Sequence, residues 1–389
     1  MLKNISSHCN RARFSLSKRL LSTLAASVLM STTLGFASSA SAQVINAQDP
    51  ANFRQLDVNI YWYGPNNQNQ RAIRGQANPY FNPSRPTIIY IHGWQKNTTV
   101  ALVRENFNRL AVNDSADVAR PWIDRGWNVG IFYWNQLADE NEVKDAEAKI
   151  HTTNGTLFTN ATRWRDSSGV YRLGPALTVT QQFVNAYKSA MAGYIGSEVR
   201  LAGHSLGAQL AITGASALWR EKNAGTLPAQ LVPTRVALLD HAFLGGPKSW
   251  IGNKWTGQVA RELVSQNRSQ IIYENYRSSG ATSTGFIGDT NQGLIDMTPF
   301  VEVIPGMYGA FDFNNKHVFA MGYYFSGMGV PPMKVRCNGY PVPSAALSNS
   351  TLRVLAIGAF KYSQLDGTYT KNPIDDTWDE LFDQCDENP

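Results

Sequence analysis

A serine in a glycine-flanked turn is the residue of this sequence best suited to act as a nucleophile. Ser205 lies in a G-H-S-L-G sequence, with Gly203 and Gly207 around it, between an apolar run at 199–202 and a helix-like run at 208–219. A serine at such a strand-to-helix corner forms a nucleophile elbow. Backbone from both elements crowds the corner, and glycines two positions away leave room for it. The flanking strand and helix make Ser205 a strong candidate.

A serine becomes a good nucleophile when a neighbouring base accepts its proton, so one of six histidines is expected to do this. In this architecture the base comes late in the chain, after the acid, which leaves His241 and His317. His317 lies in N-N-K-H-V-F-A, just before a helix-like segment, and is the candidate base.

The other four histidines are set aside for separate reasons. His8 belongs to a segment that we expect to be removed, His204 is expected to face away from a catalytic partner, His92 is expected to hold its loop by hydrogen bonds, and His151 lies in a polar insertion.

An acid must hold the imidazole in the right tautomer and stabilise its charge after proton transfer. Asp240 directly follows the apolar run 236–239, beside the elbow strand, and is the candidate acid. In many folds of this type the acid lies beyond the next strand, and three carboxylates then remain as alternatives: Glu274, Asp289 and Asp296.

The oxyanion of an acyl-transfer intermediate needs two backbone N–H donors. Leu206, directly after the nucleophile, supplies one. Trp94 is the expected second donor because it follows the buried run 87–91 and Gly93 lets the backbone turn inward. The alternative is that His92-Gly93 only ends a strand.

Apolar runs of strand length alternate with helical patterns along the chain. Strands are predicted at 58–63, 87–91, 129–134, 199–202, 236–239 and 271–273, and helices at 98–110, 177–194, 208–219 and 254–265. This order predicts an α/β fold with a mostly parallel central sheet flanked by helices. The polar stretch 135–173 is predicted to be an insertion or cap over the sheet edge.

The first 42 residues are predicted to be a secretory signal peptide. Five basic residues precede an apolar stretch at 20–36, and Ala40-Ser41-Ala42 is a small-residue cleavage site. Without them, 30 basic and 29 acidic residues remain, so the net charge of +6 gives no indication of a nucleic-acid partner. Residues 43–389 are then a single catalytic domain, secreted or periplasmic, with no transmembrane segment.

Two cysteines remain after the signal peptide. In an exported protein Cys337 and Cys385 are expected to form a disulfide that holds the C-terminal tail, with two free thiols as the alternative. No Cys/His cluster has zinc-ligand spacing, so no metal and no organic cofactor are predicted.

Four stretches resemble the lipase family that contains pancreatic lipase, within the α/β-hydrolase superfamily. They are Ile88–Trp94, Val199–Ala208, Arg235–Asp240 and Lys316-His317 with Tyr323-Tyr324, in the family's order. The resemblance implies an α/β-hydrolase fold, Asp240 as the acid, and hydrolysis of acylglycerol or phospholipid esters at a lipid surface. The chain departs from the family at His241, where proline is usual. The family's lid is commonly closed by a disulfide just before the base, whereas this chain has no cysteine between Gln43 and Arg336.

The apolar, glycine-containing segment 285–313 is a candidate lid over the site, with a further strand and core packing as the alternative. The sequence therefore predicts a secreted serine ester hydrolase, foremost a lipase on acylglycerols. Its alternatives are a phospholipase A1, a soluble carboxylesterase, and a non-catalytic lipid-binding protein on a lipase-like scaffold. A lipid or small ester is the expected partner; the oligomeric state is left open.

Overall fold

The computed structural model describes residues 45–108, 117–279, 292–335, 339–358, 360–366 and 377–380. Several predictions lie outside the described residues: the signal peptide at 1–42, the Cys337–Cys385 disulfide, and the first part of the candidate lid. The assignment of 43–389 to one catalytic domain also stays a prediction.

Twelve strands are present in the described part of the chain. They are β1 (Asn59–Tyr63), β2 (Asn69–Arg71), β3 (Thr87–Ile91), β4 (Asn128–Tyr133), β5 (Arg163–Arg165), β6 (Tyr171–Leu173), β7 (Val199–His204), β8 (Arg235–Leu239), β9 (Ile272–Arg277), β10 (Phe300–Glu302), β11 (Lys361–Asp366) and β12 (Thr377–Glu380).

Nine α-helices accompany these strands within the same described residues. They are α1 (Arg120–Asp124), α2 (Asn135–Ala138), α3 (Val143–His151), α4 (Val179–Ala190), α5 (Leu206–Asn223), α6 (Thr256–Asn267), α7 (Gln292–Ile295), α8 (Phe313–Ser326) and α9 (Asn349–Gly358).

Ten of the described strands form one sheet in the order β12-β11-β10-β9-β8-β7-β3-β4-β1-β2. The run from β4 to β11 is parallel, while β1, β2 and β12 pair antiparallel at the two ends. The crossover between β3 and β4, and the elbow after the central strand β7, confirm the predicted α/β-hydrolase fold. The order also places the ends of β3, β7 and β8 side by side.

The central strands are apolar because helices cover both faces of the sheet. β3 is buried along its whole length. Its odd-numbered residues Ile89 and Ile91 pack on the side of α4 and α5, and its even-numbered residues Ile88 and Tyr90 pack on the side of α8. Each face therefore has its own core, and α8 lies on the opposite face from the nucleophile helix α5.

The predicted helix over 98–110 is wrong in its described part, where residues 97–108 form turns. Asn97 and Leu102 have positive φ angles of 62° and 55°, which a right-handed helix excludes. The buried carboxylate of Asp139 accepts the backbone N–H groups of Asn97 and Thr99, at 2.7 and 3.0 Å. This tertiary contact overrides the apolar spacing that suggested a helix.

The predicted insertion 135–173 contains α2, α3 and the β5–β6 hairpin, and much of it is interior rather than superficial. Glu140 and Lys149 are fully buried and form an ion pair at 2.6 Å, and Glu140 also binds Arg163. The charged run in this stretch favours a surface position when it is read alone, because the sequence does not show which charges pair with each other. In the fold they satisfy one another inside the molecule.

The candidate lid over 285–313 is too broad. Phe300–Glu302 is strand β10, hydrogen-bonded between β9 and β11, and Leu294 and Val301 are buried in the core. For 292–303 the alternative of a further strand with core packing is therefore correct. Within the described part of the candidate lid, residues 304–313 remain as a surface segment, and Phe311 is 88% exposed there.

Candidate active site

Ser205 lies between β7 and α5 in a conformation that is rare for a residue with a side chain. Its φ and ψ angles are 55° and −123°, so the backbone reverses sharply from strand to helix. A Cβ atom on Gly203 would come within 2.3 Å of the Gly207 carbonyl oxygen, and one on Gly207 within 2.1 Å of the Ile91 oxygen. The G-x-S-x-G glycines are therefore required by close backbone approach, as the sequence indicates.

Asp240 follows β8 at the edge of the sheet where β7 ends at His204. The two strands run parallel with His204 opposite Leu239, so Ser205 and Asp240 leave the sheet side by side. Asp240 is fully buried with a φ angle of 40°, and its N–H donates to the Tyr276 carbonyl at 2.7 Å. Its carboxylate Oδ2 accepts the Ser279 N–H at 3.0 Å, which holds the direction of the carboxylate.

The imidazole of His317 contacts this carboxylate. His317 Nδ1 lies 3.0 Å from Asp240 Oδ2, and its side chain is 23% exposed against none for Asp240. An ionised carboxylate can only accept, so Nδ1 carries the proton and Nε2 is left with a lone pair. This is the tautomer in which a histidine can act as a base, as in a Ser-His-Asp triad.

His317 lies within α8, as its fifth residue, rather than in a loop before a helix. A helix at this position brings the base from the α8 face of the sheet up to the edge where Ser205 lies. The catalytic roles of Ser205, Asp240 and His317 stay predictions.

Ser205 Oγ and His317 are not hydrogen-bonded to each other in the described part of the chain. Such bonds are often long without substrate and tighten in the reacting complex. Ser205 is instead held through its backbone: its N–H donates to Leu239 O at 3.1 Å, and its carbonyl accepts the Ala242 N–H at 3.2 Å. The nucleophile is thus tied to the strand and loop that carry Asp240.

The loop after β3 passes directly against the nucleophile. A Cβ on Gly93 would lie 2.7 Å from Ser205 Cβ, so Gly93 also permits a close approach and does more than end a strand. Neither Trp94 N nor Leu206 N donates to a protein acceptor among the described residues. Both amides are available for an oxyanion, and that role stays a prediction.

The side chains of this loop are anchored to the start of the insertion. Trp94 Nε1 donates to the Glu140 carbonyl at 2.8 Å. His92 Nε2 accepts the Trp134 N–H at 3.1 Å, and the two rings are stacked. Burial lowers the pKa of His92 to about 3, so it is neutral at pH 7. The expectation that His92 holds its loop by hydrogen bonds is confirmed.

The alternative acids are placed elsewhere, as far as the structure describes them. Glu274 is buried and paired with Arg235 at 2.6 Å, and Asp296 lies 3.6 Å from Lys361. Asp289 lies outside the described residues. Asp240 is therefore the carboxylate that contacts His317.

His204 contributes to the site in a way that the sequence analysis missed. Its ring lies 4.4 Å from the ring of His317, centroid to centroid, instead of facing away from a catalytic partner. Its Nε2 is 3.0 Å from the His317 carbonyl oxygen. Strand alternation is the signal that could have placed it, because His204 shares a face with Ala202, which packs on the α8 side.

The strand order and the elbow define an α/β-hydrolase fold, and the paired Asp240 and His317 lie at the sheet edge where Ser205 leaves β7. Among the described residues there is no cluster of three or more metal-ligating side chains. No helix in the described part of the chain has the length and apolar character needed to cross a bilayer.

No family model matches the chain, and no curated protein matches it. Solved structures show distant likeness. A protein from Lactobacillus plantarum assigned as a carboxylesterase is 13% identical, with 64% of this chain and 86% of that chain covered and a TM-score of 0.35. Est1E from Butyrivibrio proteoclasticus, solved with ferulic acid, is 13% identical over 67% and 80%, with a TM-score of 0.28. EstE1, a thermophilic carboxylesterase from a metagenomic library, is 12% identical over 80% and 91%, with a TM-score of 0.23. The fold assignment rests on the strand order and the elbow.

Proposed function

We propose that this protein is a carboxylic-ester hydrolase that acts through Ser205, His317 and Asp240. The observation that carries the proposal is the 3.0 Å contact between His317 Nδ1 and the buried Asp240 carboxylate, beside a serine on a strained elbow. This arrangement leaves His317 Nε2 free to accept a proton at the edge where Ser205 lies.

In the first step Ser205 Oγ attacks the ester carbonyl carbon while His317 Nε2 takes the hydroxyl proton. The carbonyl oxygen becomes an anion and is bound by the N–H groups of Trp94 and Leu206. Collapse of this intermediate breaks the ester bond, and His317 returns its proton to the departing alkoxide, which leaves as an alcohol. An acyl-enzyme remains on Ser205.

In the second step water attacks the acyl-enzyme, and His317 Nε2 accepts a proton from the water. The intermediate collapses to a carboxylic acid, and Ser205 Oγ regains its proton from His317. Asp240 keeps its charge throughout and stabilises the imidazolium that forms in each step. This sequence consumes one water for each ester and requires no metal or organic cofactor.

Acylglycerols are the substrate class we propose, and export from the cytoplasm is the proposed location. Support comes from the lipase-like order of the four motifs and from Phe311 and Phe313, which are 88% and 49% exposed just before the base. Exposed aromatic side chains in the segment that leads into the helix of His317 suit an acyl chain or a lipid surface. A phospholipase A1 or a soluble carboxylesterase would share the same three catalytic residues.

The test compares Ser205→Ala with Ser265→Ala, a matched control at an exposed serine on α6. On p-nitrophenyl esters we expect Ser205→Ala to lose at least about a thousandfold in kcat and the control to keep wild-type activity. Equal activity of wild type and Ser205→Ala would refute the proposal. Failure of a fluorophosphonate to label Ser205 in folded wild-type protein would favour a non-catalytic lipid-binding protein.

The ester profile then separates the related substrate classes. Rates are measured on esters of increasing acyl length, below and above the concentration at which they form micelles, and on phospholipid vesicles. A lipase is expected to prefer long acyl chains and to respond to micelle formation. A preference for short, monomeric esters would overturn the acylglycerol assignment and leave ester hydrolysis intact.

A further inference from the structure

His204, the residue before the nucleophile, makes contacts that the triad scheme does not use. It is the last residue of β7 and is 5% exposed. Because side chains alternate along a strand, His204 points to the face covered by α8, where it meets His317. One short strand end therefore supplies the nucleophile and, from the adjacent position, a contact to the candidate base.

The chemistry of this contact fixes the state of His204. Nε2 lies 3.0 Å from the backbone carbonyl of His317, and a carbonyl oxygen can only accept a hydrogen bond. His204 Nε2 therefore carries a proton and donates it. Burial, with a further contribution from the nearby His317, lowers the pKa of His204 to about 3. At neutral pH the ring is an uncharged donor beside the imidazole that must become charged.

The side chain of Ser278 also binds the turn of α8 that carries His317. Ser278, just after β9, donates from Oγ to the Lys316 carbonyl at 2.5 Å and accepts the Ala320 N–H at 3.1 Å. The backbone around His317 is thus held from β7 and from the end of β9. Asp240 holds the ring itself.

We propose that His204 is a positioning residue, which sets the distance between the base and the nucleophile by donating from Nε2 to the His317 carbonyl. The inference rests on the proposed function and extends it. Because His204 and Ser205 are consecutive residues at the end of β7, this hydrogen bond ties the position of His317 to that of Ser205. Asp240 orients the imidazole ring, whereas His204 positions the helix turn that carries it.

The test uses the full-length protein with His204→Leu, which removes the donor, and His204→Gln, whose amide places a donor at about the same reach. A misplacement of about 1 Å can cost about a hundredfold in rate. We expect His204→Leu to lower kcat by roughly 10- to 100-fold, with KM changed less than about twofold. His204→Gln should retain kcat within about threefold of wild type. The rate of fluorophosphonate labelling at Ser205 should fall in parallel with kcat.

Val264→Ala is the control for lost stability, because Val264 is buried on α6 in the core on the opposite face of the sheet from α8. We expect it to lower Tm without lowering kcat. Wild-type kcat in His204→Leu would overturn the inference, as would equally low kcat in His204→Leu and His204→Gln. If His204→Leu does not fold, His204→Asn replaces it, because its shorter amide does not reach the His317 carbonyl; wild-type kcat in His204→Asn would likewise overturn the inference. An inactive, unlabelled wild type would instead refute the proposed function.

Discussion

The two segments that lead into the candidate site are built differently. We call residues 92–99 with 134–140 the fixed side, and residues 304–313 the open side. On the fixed side, Asp139 is fully buried and both its carboxylate oxygens accept backbone N–H groups of the loop that carries Trp94. On the open side, backbone bonds close short local turns, as from Gly306 N to Ile304 O and from Tyr308 N to Pro305 O.

This difference indicates that the two sides have different roles. Oxyanion donors must be preorganised, since donors that have to reorganise during the reaction lose much of their value. A surface for an ester substrate has no such requirement and can vary in shape. We therefore expect changes on the fixed side to affect kcat and stability, and changes on the open side to affect substrate preference.

Of the three variants that compare the two sides, Asp139→Ala should have the greatest effect, because it removes the contacts that hold the fixed side in place. Asp139→Ala leaves the N–H groups of Asn97 and Thr99 without their acceptor and removes the 3.1 Å ion pair to Arg165. We expect about 3 kcal/mol less stability and a kcat lowered by about 10- to 100-fold. Urea unfolding and steady-state kinetics measure the two effects. Full kcat at reduced stability would break the link between rigidity and catalysis.

The second prediction concerns acid and the buried His92. Its folded pKa of about 3 lies below the ordinary value of 6.5, so the unfolded chain binds the proton first. The stability from neutral His92 is therefore present above pH 6.5 and is lost as the pH falls from 6.5 towards 3. Between pH 7 and pH 5 we expect a loss of about 2 kcal/mol from this residue.

The matched variant for this prediction is His92→Gln. Its urea midpoint at pH 7 and at pH 5 should differ less than that of wild type, because glutamine does not titrate. The window ends at pH 5 because ordinary carboxylates titrate below it. An identical pH dependence in the two proteins would show that His92 is not held neutral by burial.

The smallest expected effect belongs to the open side. Phe311→Ser and the control Ile357→Ser both change a side chain that is 88% exposed. Ile357 lies on α9, which packs against β9. Neither change should alter the free energy of unfolding by more than about 0.5 kcal/mol. Only Phe311→Ser should raise KM for long acyl chains, by a few-fold, with short esters unaffected. Equal KM profiles would remove the open side from substrate binding.

Much of the sheet could be predicted because its strands are specified by residues that are close together in the sequence. The apolar run 87–91 predicts β3 at its observed residues, and the G-x-S-x-G pattern with its flanking elements predicts the elbow. These features depend on neighbours in sequence, such as the glycines at 203 and 207 that admit nearby backbone. Local physics was sufficient for them.

The predictions that are wrong concern residues whose partners lie far along the chain. The turns after Asn97 form because a carboxylate 42 residues away accepts its N–H, and the charges of Glu140 and Lys149 are interior because they pair. The expectation that His204 faces away from a catalytic partner is wrong for the same reason. Its strand face could be predicted, but the approach of His317, 113 residues later, requires the packing of α8.

The proposed mechanism requires that Asp240 makes His317 a base for Ser205, and the rate of covalent labelling at Ser205 reports this. Wild type and Asp240→Asn are treated with a fluorophosphonate, and the labelled peptide is identified and timed by mass spectrometry. We predict labelling at Ser205 in wild type and a rate about 10⁴-fold lower in Asp240→Asn, because the amide favours the wrong tautomer of His317. Labelling of another serine, or an equal rate in a folded Asp240→Asn protein, would show that Asp240 and His317 do not activate Ser205.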